Sequence, residues 1–190
     1  MLSDEDKRLL LEIARGAMAA FASGGTFEDP LMVPNALRAV VGAFVSLHKA
    51  GDLRGCIGYV EGVKPLWEAV RDLAVEASAH DPRFAPVRPR ELEEIDMEIS
   101  VLGGLERIKG PGEIEVGTHG LYIRSAGRSG LLLPQVAAEH AWDGPKFLEQ
   151  TCWKAGLPLD AWRKPGAEVY RFGAAVFGEK AMGLWPPKDR

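Results

Sequence analysis

Between Ile95 and Val101 the chain alternates without a fault: Ile95, Met97, Ile99 and Val101 are apolar, while Asp96, Glu98 and Ser100 are polar. Successive side chains of an extended strand point to opposite faces, so this segment reads as a strand with one buried face and one polar face. Strands of that kind belong to antiparallel sheets covered on one side only. Two amphipathic helices are available as the cover. Leu9, Leu10, Ile13, Ala17 and Phe21 recur at helical spacing behind a Ser3 N-cap with Asp6 three residues on, and Gly24-Gly25 ends that helix. Pro65 opens the second, whose stripe is Leu66, Val70, Leu73, Ala74 and Ala77 and which is expected to lie on the sheet.

A hairpin precedes that second helix. Val41, Ala43, Val45 and Leu47 mark a strand over Val40–Leu47, Lys49-Ala50-Gly51-Asp52 carries turn chemistry, and Leu53-Arg54-Gly55-Cys56-Ile57-Gly58 forms the returning arm. A spacing of two puts Arg54 and Cys56 on one face, with Leu53, Ile57 and Tyr59 on the other. Gly55 and Gly58 add no Cβ, which permits close approach of another backbone, a side chain or a ligand. A guanidinium beside a thiol favours the reactive thiolate, so Arg54 and Cys56 are candidates for a site. Cys56 reads equally well as a small buried residue, and Arg54 as half of a structural ion pair. A second candidate segment is His80-Asp81-Pro82-Arg83-Phe84-Ala85-Pro86, where two prolines hold an Asp, an Arg and an aromatic ring in extended or turning backbone.

Gly103-Gly104 interrupts the pattern, and the texture then changes to short strands at Ile114–Val116, Leu121–Arg124 and Leu131–Leu133 with glycine-rich turns, as in a small insertion. Two helical pieces follow Pro134, separated by Asp143-Gly144-Pro145. The second carries Phe147, Leu148, Thr151 and Cys152 on one face and stops at Gly156, which makes Cys152 a packing residue. A last strand is expected over Val169–Phe177, followed by a loosely held polar tail containing Pro186-Pro187. Hairpins and helices without regular βαβ alternation define an α+β fold with mainly antiparallel pairing.

Composition narrows the function classes. The 190 residues carry a formal net charge of -4 and no basic run, which argues against a general nucleic-acid binder. Two cysteines, Cys56 and Cys152, have no spacing suggestive of a disulfide framework or zinc ribbon, so no metal site is assigned and a reducing compartment is expected. The start lacks the features of a signal peptide and no segment is apolar enough to span a membrane, so a soluble cytoplasmic protein is expected. The dinucleotide, phosphate-loop, zincin, dithiol and hydrolase motifs are absent from the sequence. Two histidines remain as possible bases for Cys56: His119, in the glycine-flanked turn Gly117-Thr118-His119-Gly120, and His80. Each reads also as a loop histidine bonded to backbone.

These residues together resemble one family. Leu53–Gly58, Asp81-Pro82-Arg83-Phe84, Gly117-x-His119-Gly120-Leu121, Leu133-Pro134-Gln135-Val136, Trp142 and Lys154-Ala155-Gly156-Leu157 match in order the AMMECR-type domain, called AmmeMemoRadiSam system protein A in bacteria and archaea. The resemblance implies a discontinuous large subdomain (residues 1–102 and 168–190), an inserted small one (103–167) and a cleft between them faced by the six-residue motif. It implies no established reaction and no known cofactor. On that reading Cys56, Arg54 and His119 are catalytic candidates, and Gly55, Ile57, Gly58, Asp81, Arg83, Phe84 and Gln135 are candidates to contact a small molecule or peptide. The alternative it leaves open is a non-catalytic module that works with a Memo-like protein or a radical SAM protein.

Overall fold

The computed structural model describes residues 2–186. Along them run α1 (Asp4–Ala22), β1 (Ala43–Lys49), β2 (Asp52–Tyr59), α2 (Leu66–Ala79), β3 (Ile95–Leu102), β4 (Glu106–Ile108), β5 (Gly120–Ser125), β6 (Arg128–Leu132), α3 (Pro134–Glu139), α4 (Gly144–Lys154), β7 (Glu168–Phe172) and β8 (Ala174–Gly178). The strands build two sheets, ordered β2-β1-β3-β8 and β4-β7-β5-β6. Neighbouring strands pair antiparallel, as the α+β reading expects. The described chain divides into two units, residues 2–101 with 176–186 and residues 102–175.

In the first unit, α1 begins where the sequence places it. The Ser3 hydroxyl accepts from the Asp6 N–H and the Asp6 carboxylate accepts from the Ser3 N–H, which satisfies two of the donors a helix start leaves open. Leu10, Ile13 and Ala17 are buried, but Phe21 is exposed at the last turn, edge-on to the His80 ring. Leu66, Val70, Leu73, Ala74 and Ala77 of α2 are all buried and form one core with Val45, Leu47, Met97 and Ile99 of the sheet. The register explains the stripe: Val45 lies opposite Ile57 and Ile99, and Leu47 opposite Gly55 and Met97, so these residues share the face under the helices. The other face carries Phe44, Ser46, Asp96, Glu98 and Ser100.

The hairpin turns through Ala50 (φ 53°) and Gly51 (φ 91°), both left-handed, as a two-residue loop between right-twisted strands requires. Strand β1 starts at Ala43 rather than Val40, because the Ala39 carbonyl accepts the Leu66 N–H at the start of α2 and is not part of a ladder. The C-terminal segment is docked as far as it is described. Met182 and Leu184 pack on the first core, and buried Glu179 receives the Arg15 guanidinium and the Met97 N–H. Residues 187–190 of the expected loose tail lie outside the described residues.

The second unit departs from the sequence reading at two places. Ile114–Val116 is not a strand but follows a short 3-10 turn, Pro111–Glu113, and the strand that pairs with β7 is Glu106–Ile108, with Ile108 opposite Val169. The expected single strand Val169–Phe177 is two strands, β7 in the second sheet and β8 in the first, parted at Gly173. Phe147, Leu148, Thr151 and Cys152 are buried on one side of α4, and Gly156 (φ 67°) ends it. Burial pushes the Cys152 thiol up from its ordinary value, consistent with an inert packing residue.

Candidate functional site

Gly55 determines where the site is built. A Cβ there would stand 2.2 Å from the Ala77 carbonyl oxygen, so only glycine lets the last turn of α2 press onto β2. The residues that leave α2, Asp81 to Phe84, are thereby laid along β2, an edge strand of its sheet. An edge strand presents unpaired backbone groups, and here side chains satisfy them. Asp81 Oδ2 accepts the Cys56 N–H at 2.8 Å, and Arg83 Nη2 donates to the Cys56 carbonyl at 3.3 Å. The two side chains stand in for a missing neighbour strand at Cys56.

Asp81 is buried and Arg83 grips it with two bonds, Nε to Oδ1 at 2.9 Å and Nη2 to Oδ2 at 2.7 Å, while the Arg83 N–H adds a third at 3.1 Å. The Arg83 guanidinium holds the Asp81 carboxyl far below the ordinary carboxylate range. Burial opposes it, and the Cys56 and Arg83 amides add to it. Asp81 is therefore an anion at neutral pH, with both oxygens bonded to its neighbours.

Arg54 is held differently. The pairing slips by one residue between Leu47, opposite Gly55, and His48, opposite Leu53, and Arg54 is the unpaired residue of this β-bulge. The slip returns Leu53 to the face shared with His48, where it is 40% exposed instead of packing with Ile57 and Tyr59. Strand alternation therefore does not aim Arg54; its neighbours do. Its guanidinium lies 5.9 Å from the Phe84 ring centroid, and Arg83 lies 5.4 Å from the same ring, so two cations share one aromatic face system. Glu91 receives Arg54 through two contacts of 3.4 Å, and also takes Lys49 at 3.4 Å and the Arg88 N–H at 3.1 Å. Burial pushes the Glu91 carboxyl up, but the Arg88 amide and Arg54 outweigh it and hold the group below its ordinary value. Arg54 Nη1 is buried with no hydrogen-bond partner among the described residues.

Cys56 is partly exposed, and its sulfur accepts from the Ser46 hydroxyl at 3.2 Å. Ser46 lies directly opposite Cys56 in the ladder and opposite Glu98 on the far side, which makes a polar row across the three strands. Gly58 also sits on this face, with the Phe44 ring 2.2 Å from where its Cβ would be. Gly55 and Ile57 face the helices instead. The candidates thus gathered around β2 are Arg54, Cys56, Gly58, Asp81, Arg83 and Phe84.

His119 and Gln135 belong to the second unit. His119 Nδ1 accepts the Glu115 N–H at 3.0 Å, and the buried Gln135 Oε1 has no partner. His80 binds Glu76 one helical turn back, at 3.0 Å. Sequence reasoning missed Ser46 and Glu91. Glu91 had a signal, its place at the third position of the Pro89–Glu91 turn, where its side chain caps the Arg88 amide. Ser46 is hidden by the bulge, since an unbroken hairpin would set it opposite Gly55.

Fold and site define a class: a two-unit α+β protein whose first sheet bears an arginine and a thiol on a clamped edge strand. Residues 11–177 match the AMMECR1 family model, and the chain belongs to that family. A protein of Methanothermobacter thermautotrophicus is 45% identical over 185 residues, covering 94% of this chain and 96% of that one. A protein of Thermococcus kodakarensis is 43% identical, covering 94% and 93%. The crystal structure of an uncharacterized protein from Pyrococcus horikoshii superposes with a TM-score of 0.88 at 39% identity, covering 94% of each chain.

Proposed function

We propose that the edge of β2 binds a small molecule or peptide through an anionic group seated on Arg54, and presents the Cys56 thiol to it as a nucleophile. The observation that carries this reading is Arg54 Nη1, a charged donor buried without a partner. An unpaired buried donor is costly, and a carboxylate or phosphate oxygen is the partner that satisfies a guanidinium best. Phe84 and the half-exposed Arg83 supply a flat wall and a second positive charge.

The test compares two alkylating agents on a Cys152→Ala background. Iodoacetate carries the anion that Arg54 should attract, and iodoacetamide does not. Cys56 should favour iodoacetate by about tenfold relative to a free cysteine, and Arg54→Met should erase the preference. An identical ratio in both proteins ends the proposal. The pH dependence of the iodoacetamide rate then reports whether the thiol is reactive near neutrality.

A second reading is favoured by Arg83, whose side chain stays 49% exposed next to Phe84. There the same surface docks a Memo-like or radical SAM protein without chemistry at Cys56. Calorimetric titration of a purified Memo-like protein into wild type, Arg83→Ala and Cys56→Ala separates the two. Docking predicts weakened binding for Arg83→Ala and unchanged binding for Cys56→Ala.

A further inference from the structure

The second unit contains a cavity of about 520 Å³ that is independent of the β2 site. Its floor is the unit's own core: Ile108 of β4, Leu148 of α4 and Val169 of β7 are buried there, with Trp162 packed beside them. Its rim is cationic, formed by Arg107 and Lys109, and among the described residues no Asp or Glu lines it. A pocket of this size that joins an apolar floor to a few convergent polar groups has the form of a small-molecule site.

The charges at the rim are poorly compensated. Among the described residues the Lys109 ammonium has no hydrogen bond or ion pair, and only its backbone N–H is engaged, by Glu113 at 2.7 Å. Arg107 reaches Glu168 at 3.9 Å only, and that carboxylate is held closely by Arg124. Outside the lining, the Arg163 guanidinium lies 4.5 Å from the centroid of the Trp162 ring. Ile108 is buried in the unit's core, while Arg107 and Lys109 on either side of it are exposed and line the same cavity.

We propose that this cavity binds a small anionic amphiphile, a carboxylate or phosphate ester head on an aromatic or branched aliphatic body. The head would pair with Lys109 and Arg107, and the body would lie on Trp162, Ile108, Leu148 and Val169. Both partners gain: the rim cations obtain a counter-ion, and the partly exposed Trp162 ring is covered.

The full chain, labelled with nitrogen-15, is titrated with 3-phenylpropionate and with its uncharged amide, and the backbone amides are followed by NMR. Phenylpropionate should move the resonances of residues 106–110, 148, 161–163 and 167–169, and the amide should bind about tenfold more weakly. Lys109→Gln and Arg107→Gln, both at exposed positions, should each weaken the acid several-fold and leave the amide unchanged. Equal binding of acid and amide, shifts centred elsewhere, or no shifts at probe concentrations on the order of 10 mM overturn the proposal. The iodoacetate preference of Cys56 should be unaffected by the probe, so this site and the β2 site stand or fall separately.

Discussion

Two arginines of the first unit are buried to the same degree and live in opposite circumstances. Arg15 and Glu179 are 17% and 5% exposed, and Arg54 and Glu91 are 15% and 16% exposed. Around the first pair the bonds are short and complete. Arg15 donates to Glu179 through Nε at 2.8 Å and through Nη2, to the Leu92 carbonyl at 2.9 Å and to the Ile95 carbonyl at 2.7 Å, while Glu179 also takes the Met97 N–H at 2.8 Å. Around the second pair both contacts are 3.4 Å, Glu91 is shared with Lys49, and Arg54 Nη1 has no partner. Burial alone does not distinguish these two arginines. The partners of their nitrogens do: every guanidinium nitrogen of Arg15 has one, while Arg54 Nη1 has none among the described residues.

The comparison can be broken at four points. Glu179→Ala strands the Arg15 charge and the Met97 amide, and should cost about 3–5 kcal/mol in urea unfolding. A loss below about 1 kcal/mol would mean that the pair is not the lock described here. Asp81→Asn tests the clamp on β2, with an expected cost of about 1.5–3 kcal/mol at neutral pH. Arg83 depresses the folded-state pKa of Asp81, so this contribution is complete above the unfolded value of about 3.9 and is lost as pH falls through the lower folded value. The stability gap between wild type and Asp81→Asn should therefore be flat down to about pH 5 and close below about pH 4. A gap that widened on acidification would reverse the assignment.

Gly55→Ala sharpens the contrast by acting on position. The added methyl meets the Ala77 carbonyl and should cost about 1–3 kcal/mol while changing the accessibility of Cys56 to iodoacetamide. Destabilisation without any change in alkylation would separate the seating of α2 from the site. The smallest effect belongs to Arg54→Met, which removes an unsatisfied buried donor and two long contacts to Glu91, a carboxylate that keeps Lys49 and the Arg88 amide, and should alter stability by less than about 1 kcal/mol. Its consequence should appear instead in the loss of the iodoacetate preference. A loss comparable with that of Glu179→Ala would make Arg54 a structural residue after all.

Much of the fold was legible because its elements bury one stripe each. The Ser3 cap, the stripe of α2, the apolar face of Ile95–Val101 and the hairpin around Ala50-Gly51 are local patterns with local causes, and they appear in the structure, but Asp96 and Ser100 on the opposite face are buried too, so that strand is not half-exposed. The failures have local causes too. Strand β4 is three residues long and two of them are charged, so no alternation announces it. Val169–Phe177 is apolar enough to read as one strand, and nothing in its composition tells that Gly173 hands the chain from one sheet to another. Around the site, Cys56, Asp81, Arg83 and Phe84 were legible as residue types. Ser46, the partner of Cys56, was not, since it depends on the register, and Glu91, the partner of Arg54, gave only its capping position as a signal.

By itself the sequence determined that Ile95–Val101 has one apolar face, that the chain therefore builds a helix-covered antiparallel sheet, and that an arginine and a thiol sit two residues apart on a neighbouring strand. Those properties follow from side-chain periodicity, which needs no distant contact. Tertiary structure alone decided that a one-residue bulge frees Arg54 from that periodicity, that α2 presses on Gly55, and that Asp81 and Arg83 close the edge at Cys56. Each of these is a meeting of segments far apart in the chain, and their separation along the backbone carries no record of how closely they pack.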